Sequence, residues 1–155
     1  MTVQIIDTPD SELGEVIITR EFDAPRELMY SCFFDPEHLA AFWGPVGTHT
    51  PVDSILIEPW VGGRFETTMV MDDGSAEYPT KGVFVELNEP EGFAFKEPDS
   101  EITTSSTFED LGDGRTRLTI HQTRVPAMYR SDEALAGFMT SLDRFEQHLA
   151  EVQAA

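Results

Sequence analysis

Over residues 132–152 the apolar side chains Leu135, Phe138, Met139, Leu142, Phe145, Leu149 and Val152 form one continuous stripe of period 3.6, the signature of a long amphipathic helix. Ser131 can cap this helix, and Asp132 and Glu133 complement the positive end of its dipole. At a rise of 1.5 Å per residue it is roughly 30 Å long, enough to cross a whole small domain. The rest of the chain must therefore supply an apolar face to receive it, while Asp143, Glu146 and Gln147 on its other side stay solvated.

Residues 50–123 supply that face. Turn signals at Pro59 with Gly62-Gly63, Asp73-Gly74, Asn88 to Gly92, Pro98-Asp99 and Asp113-Gly114 divide this stretch into about six strands. Parity places Phe65, Thr67, Met69 and Met71 on one side of their strand, and selects Val83, Val85 and Leu87, Phe93 and Phe95, and Leu118 and Ile120 as inward in the strands that follow. Arg115, Arg117, Thr119 and His121 fall on the outer face. The connections are too short for parallel crossovers, so neighbouring strands are antiparallel.

Upstream, Glu15 to Phe22 reads as a first strand, preceded by a loose arm over residues 1–14. Asp23-Ala24-Pro25 is a helix-start signal, with Asp23 as the cap, for a helix over about Pro25 to Phe33. Asp35-Pro36-Glu37 starts a second short helix that carries Leu39 and Phe42 and stops at Trp43-Gly44-Pro45. The expected architecture is α+β: a curved antiparallel sheet of about seven strands, two short helices after the first strand, and the long C-terminal helix on the concave face. A chain of 155 residues with 40% hydrophobic content fills one such domain, here residues 15–155.

The order and spacing of several fragments resemble the SRPBCC superfamily, the START-like, Bet v-like or helix-grip domains. Within it they resemble the homologues of the heat-shock chaperone ATPase activator. The fragments are Phe22-Asp23-Ala24-Pro25, Asp35-Pro36-Glu37-His38-Leu39 with Phe42-Trp43-Gly44-Pro45, and the run from Glu58 to Glu66. Further on come Gly82-Val83-Phe84 with Glu89-Pro90, Leu111 to Leu118, and Gly137-Phe138 with Leu142. The resemblance implies a cavity between sheet and long helix. It also departs from the family pattern: Gly137-Phe138 stands where relatives often have Gly-Trp, and a Trp common after Phe93-Ala94-Phe95 is missing.

Charge and cysteine usage narrow the function. Ten Lys+Arg against 29 Asp+Glu give a net charge of -19, a field that repels nucleic acid, anionic membranes and anionic ligands. No apolar run approaches the ~20 residues needed for a membrane span. The single Cys32 excludes an internal disulfide and Met1 to Gln4 lacks signal-peptide character, so the expected compartment is the cytoplasm.

Searching for chemistry, we find no Gly-x-Ser-x-Gly elbow, and Cys32 lies in an apolar helical setting that reads as packing. His38, His49, His121 and His148 are scattered over different elements without metal-site spacing, so neither metal nor cofactor is expected. Glu58, Arg64 and Glu66 flank the Gly62-Gly63 turn and read as a structural charge pair. The inward polar positions are Thr67, Thr104, Ser106 and Gln122, which disfavours an enzyme.

Apolar residues are the more informative set. The candidate ligand-binding residues are Trp43, Phe65, Thr67, Met69, Val83, Val85, Phe95, Met128, Tyr129, Phe138 and Leu142, with Trp43 and Met128-Tyr129 in loops that close the ends of the implied cavity. The reading that follows is non-enzymatic binding of a small hydrophobic or aromatic molecule. A chaperone partner whose ATPase the chain modulates, and a polyketide cyclase or hydrolase, are the alternatives implied by the resemblance. A sheet edge or outer face offers a route to a homodimer.

Overall fold

A computed structural model describes residues 2–7 and 12–155. Its strands are β1 (Thr2–Asp7), β2 (Leu13–Phe22), β3 (Thr48–His49), β4 (Leu56–Ile57), β5 (Arg64–Met71), β6 (Glu77–Asn88), β7 (Gly92–Lys96), β8 (Thr103–Gly112) and β9 (Arg115–Pro126). Its α-helices are α1 (Arg26–Phe34), α2 (Pro36–Phe42) and α3 (Asp132–Ala154). The strands form one antiparallel sheet in the order β1-β2-β9-β8-β7-β6-β5-β3, with β4 also paired to β5. The three helices cover its concave face, and the core joins Val16, Ile18 and Phe22 of β2 to Leu142, Phe145 and Leu149 of α3.

The expected α+β helix-grip architecture is present, with differences that have local causes. Part of the expected arm is a strand: β-branched Val3, Ile5 and Ile6 pair along β2, so the two helices follow the second strand and not the first. Residues 1 and 8–11 of that arm lie outside the described residues. Among the described residues the sheet has nine strands and not about seven, because β1 joins it at one edge and the two-residue β3 pairs with β5 at the other. Asp23 does not cap α1; Pro25 occupies the cap position, and the Asp23 carboxylate pairs with Arg115 at 3.2 Å.

The inward assignment of Val83 and Val85 is reversed. Phe84 is the fully buried residue and Val85 is 45% exposed. Phe84 lies opposite the buried Phe95, and Gly82 opposite Phe65, which puts the even positions on the concave face. The run Val83-Phe84-Val85 is apolar at both parities, so alternation alone could not choose between them. Leu87 does lie inward, because a β-bulge between Phe84 and Glu86 shifts the register and brings it opposite Phe93.

The helix signals at Asp35 and Ser131 are borne out. Asp35 accepts from the Glu37 amide at 3.0 Å and Ser131 Oγ from the Ala134 amide at 3.1 Å. Arg20, beneath α3, pairs with Asp143 at 2.9 Å and with Glu146 while lying over the Phe22 ring, tying β2 to the helix.

Candidate functional site

The two halves of α3 meet the sheet differently. In its C-terminal half Phe145 is fully buried among the rings of Phe22, Phe33 and Phe42, with centroids 5.3, 5.3 and 4.3 Å away. In its N-terminal half Leu135, Phe138 and Met139 are only partly buried, although they continue the same apolar stripe. The sheet residues near this half, including Thr80, Thr104, Ser106 and Gln122, are smaller or polar and do not fill the space.

The result is a cavity of about 610 Å³. Trp43, Gly44 and Pro45 after α2 form one wall, Met69, Thr80 and Ile120 the sheet side, and Ala134, Gly137, Phe138, Ser141 and Leu142 the helix side. Met128 and Tyr129, on a 3-10 turn between β9 and α3, stand at the rim and are 69% and 54% exposed. The volume lies within the ~300–1,000 Å³ range of small-molecule sites.

The Trp43–Pro45 wall is held from α3. Arg144 Nη1 donates to the carbonyl oxygens of Gly44, Pro45 and Thr48 at 2.8, 3.2 and 3.2 Å. Gly44 has φ +105°, and a Cβ there would lie 2.7 Å from Thr48 Oγ1 and 2.8 Å from Met69 Sδ, so both backbone and space require glycine.

An adjoining recess of about 200 Å³ shares Phe33, Trp43, Thr80, Ile120 and Phe138 with the cavity and continues to Phe93, Phe95, Thr104, Ser106, Gln122 and Glu97. Gln122 Nε2 donates to Thr104 Oγ1 at 3.2 Å, which gives the recess a polar end. Glu97 also borders a surface groove with Lys81, Asp99 and Ser100.

Burial pushes the Glu97 carboxyl above the usual carboxylate range. The folded chain keeps this proton to higher pH than the unfolded chain, so stability falls as pH rises from the ordinary Glu pKa to the raised one. Glu97→Gln removes that titration. The variant should gain thermal midpoint over the wild type as pH is raised through this window, and show no such gain below it. Parallel midpoint curves for the two chains would contradict the desolvated placement of Glu97.

Of the sequence candidates, Trp43, Met69, Met128, Tyr129, Phe138 and Leu142 line the cavity and Phe95 the recess. Phe65 lies one layer deeper, fully buried, stacked on Phe95 at 4.9 Å and beside Trp43 at 5.4 Å. Thr67 is 2% exposed, its hydroxyl has no hydrogen-bond partner, and it lines neither space. Val83 and Val85, as the strand register requires, lie on the opposite face.

Glu97 is the residue that sequence reasoning missed. It continues the parity of Phe93 and Phe95, but the turn signal at Pro98-Asp99 directly after it masks that parity.

The remaining polar candidates separate by setting. Glu58 Oε1 accepts from the Arg64 amide and Nε at 2.9 and 3.1 Å; these bonds lower its pKa and fasten the turn, as expected of a structural pair. His49 faces Asp72 at 2.7 Å and His121 faces Glu15 at 2.6 Å. Contrary to the scattered arrangement expected from their spacing, His38 and His148 meet: Nδ1 of the first and Nε2 of the second are 2.8 Å apart. Cys32 is fully buried, and burial with the nearby Asp35 charge pushes its thiol up to about 11.

A concave antiparallel sheet, a long closing helix and a cavity between them define the helix-grip class. A family model described as "Activator of Hsp90 ATPase homolog 1-like protein" matches residues 23–150, and the chain belongs to that family. Among solved structures, a protein from Nitrosomonas europaea superimposes with a TM-score of 0.78 at 21% identity, over 94% of this chain and 99% of that one. One from Rhodobacter sphaeroides gives 0.80 at 18% identity, over 96% and 98%. The AHSA1-like protein from Aeromonas hydrophila gives 0.72 at 23% identity, over 90% and 95%. At these identities the likeness is one of fold. No curated protein matches the sequence, and no described helix is long and apolar enough to cross a membrane.

Proposed function

We propose that this protein is a non-enzymatic carrier or sensor of one small, neutral hydrophobic or aromatic molecule, held between α3 and the concave sheet. The observation that carries this reading is the cavity of about 610 Å³ under the N-terminal half of α3, where Phe138 and Leu142 face space bounded by Trp43, Met69 and Ile120. Apolar walls of this kind gain by exchanging water for an apolar ligand. Thr104 and Gln122 in the recess suit a ligand with one polar end. The net charge of -19 disfavours an anionic ligand. The single unpaired cysteine supports a cytoplasmic location.

Glu97 favours a second, weaker reading, acid–base catalysis on a bound molecule, since a desolvated carboxyl can hold a proton at higher pH than usual. It stands below ligand binding because the recess hydroxyl of Thr104 is engaged by Gln122 and not by a base. Modulation of a chaperone ATPase rests on the family description alone.

The test uses N-phenyl-1-naphthylamine, a neutral fluorescent probe. It should bind saturably at one per chain. Ala134→Phe, which fills the cavity from a half-buried helix position, should weaken binding at least about tenfold, or ~1.4 kcal/mol, with the fold intact. Weak, non-saturating uptake, or equal affinity in the filled variant, would count against the proposal.

A further inference from the structure

Away from the cavity, three metal-ligating side chains from three helices converge. Cys32 sits in the last turn of α1, His38 in α2 and His148 in α3, and one donor atom from each lies within 4.8 Å of the others. None of the three lines the cavity or its recess. Cys32 is fully buried, whereas the His38 side chain is 34% exposed and gives the cluster access to solvent.

We propose that Cys32, His38 and His148 form a binding site for a borderline-soft divalent cation, with zinc as the ion whose chemistry fits best. Two imidazoles and one thiolate are donors that zinc favours over the oxygen sets taken by magnesium or calcium. Three protein ligands leave a fourth position for water, reached from the exposed side of His38.

The orientation of His38 suits this role. Its Nδ1 faces His148, while its Nε2 lies 4.0 Å from Asp35 Oδ2. At that separation the Asp35 carboxylate acts on the ring through its charge and not through a hydrogen bond, and a negative charge so placed favours a cation held on the other side of the imidazole. The C-terminal turn of α1 contains no basic residue, and its free carbonyl ends and the Asp35 carboxylate place negative charge beside the cluster.

The steric change needed is local: zinc bonded at ~2.3 Å to sulfur and ~2.0–2.1 Å to nitrogen holds the two about 3.6 Å apart, so the Cys32 sulfur, now within 4.8 Å of the ring nitrogens, closes by no more than about 1.2 Å. Tetrahedral zinc bonded at ~2.0–2.1 Å to two nitrogens holds them about 3.3 Å apart. The two ring nitrogens now stand 2.8 Å apart, so the imidazoles must separate by about half an ångström. On binding, the Cys32 thiol loses its proton to solvent and the sulfur lone pair bonds the metal. The proton between the imidazoles stays in the pair, moving to the ring nitrogen on the far side of whichever histidine carries it.

Cobalt(II), added to the chelator-treated 155-residue chain, reads out this geometry. One equivalent should produce a near-ultraviolet thiolate-to-cobalt charge-transfer band together with the intense visible bands of a four-coordinate ion, and zinc should erase both. Cys32→Ser should abolish the charge-transfer band, and His148→Gln should weaken binding at least about tenfold. His49→Gln, remote in sequence and paired to Asp72, should leave both bands unchanged.

Metal-free circular dichroism confirms that each variant is folded. If one variant fails to fold, the other and the wild-type charge-transfer band still decide the matter. Absence of that band from the wild type, its survival in folded Cys32→Ser, or its loss in His49→Gln would each overturn the proposal.

Discussion

Phe145→Ala is expected to cost about 3–5 kcal/mol of unfolding free energy, whereas Phe138→Ala, two helical turns earlier on the same stripe, should cost less than about 2 kcal/mol. Both residues are phenylalanines on the inward side of α3. Phe145 is fully buried, with aromatic rings of β2, α1 and α2 packed around it, and its truncation leaves a hole that rigid neighbours cannot close. Phe138 is partly buried and already borders open volume, so truncation enlarges an existing space. The thermal midpoint should fall on the order of 10 °C for Phe145→Ala and only a few degrees for Phe138→Ala. Similar losses at the two positions would mean that α3 packs evenly along its length and that the space beneath its first half is filled in solution.

Arg144→Met should cost about 2 kcal/mol, the scale of charge-assisted hydrogen bonds, and should also weaken apolar probe binding several-fold. Methionine keeps the apolar stem of arginine but supplies no donor to the carbonyls of Gly44, Pro45 and Thr48. Those carbonyls belong to the segment that carries Trp43 and Pro45 into the cavity wall. Arg144 is therefore a positioning residue: it touches the wall and not the ligand. Denaturant unfolding and probe titration together separate the two effects. Arg144→Lys should restore part of both, because one ammonium can reach some of the three oxygens but cannot reproduce the guanidinium geometry. A variant that loses stability with no change in probe affinity would show that the Gly44–Thr48 segment stays in place without Arg144.

Much of this arrangement is legible in the sequence, for reasons that differ by element. The stripe from Leu135 to Val152 announces α3 because period 3.6 over five turns has no other use in a chain rich in strands. The antiparallel order follows from the short turns at Asp73-Gly74 and Asp113-Gly114. Where parity is single-valued, as at Leu118 and Ile120, the inward face is correctly read.

Parity fails at Val83 and Val85, where three consecutive apolar residues satisfy either register and only pairing of Phe84 with Phe95 decides. A bulge then restores Leu87 to the inner face, and nothing in the sequence marks it. Convergence of Cys32, His38 and His148 is likewise invisible along the chain, because 110 residues separate the two histidines and only the packing of α2 against α3 joins them.

Candidate site residues show the same division. The loops that carry Trp43, Met128 and Tyr129 mark these residues in the sequence, and all three border the cavity. Phe65 and Thr67 point the expected way but lie beneath the cavity surface, a matter of depth that alternation does not encode. Their side chains contribute to packing density under the wall and not to its lining.

Fluorescence of Trp43 gives the most direct test of the cavity as a binding site. The chain has two tryptophans, and Trp60 is 57% exposed, so Trp60→Phe leaves Trp43 in the cavity wall as the sole emitter. Bound N-phenyl-1-naphthylamine should quench Trp43 by energy transfer with a saturable, one-to-one titration, and the added substitution Ala134→Phe should shift that titration at least about tenfold to higher probe concentration. Trp43 emission that does not respond to the probe, or that is quenched equally with the cavity filled, would contradict binding between α3 and the sheet.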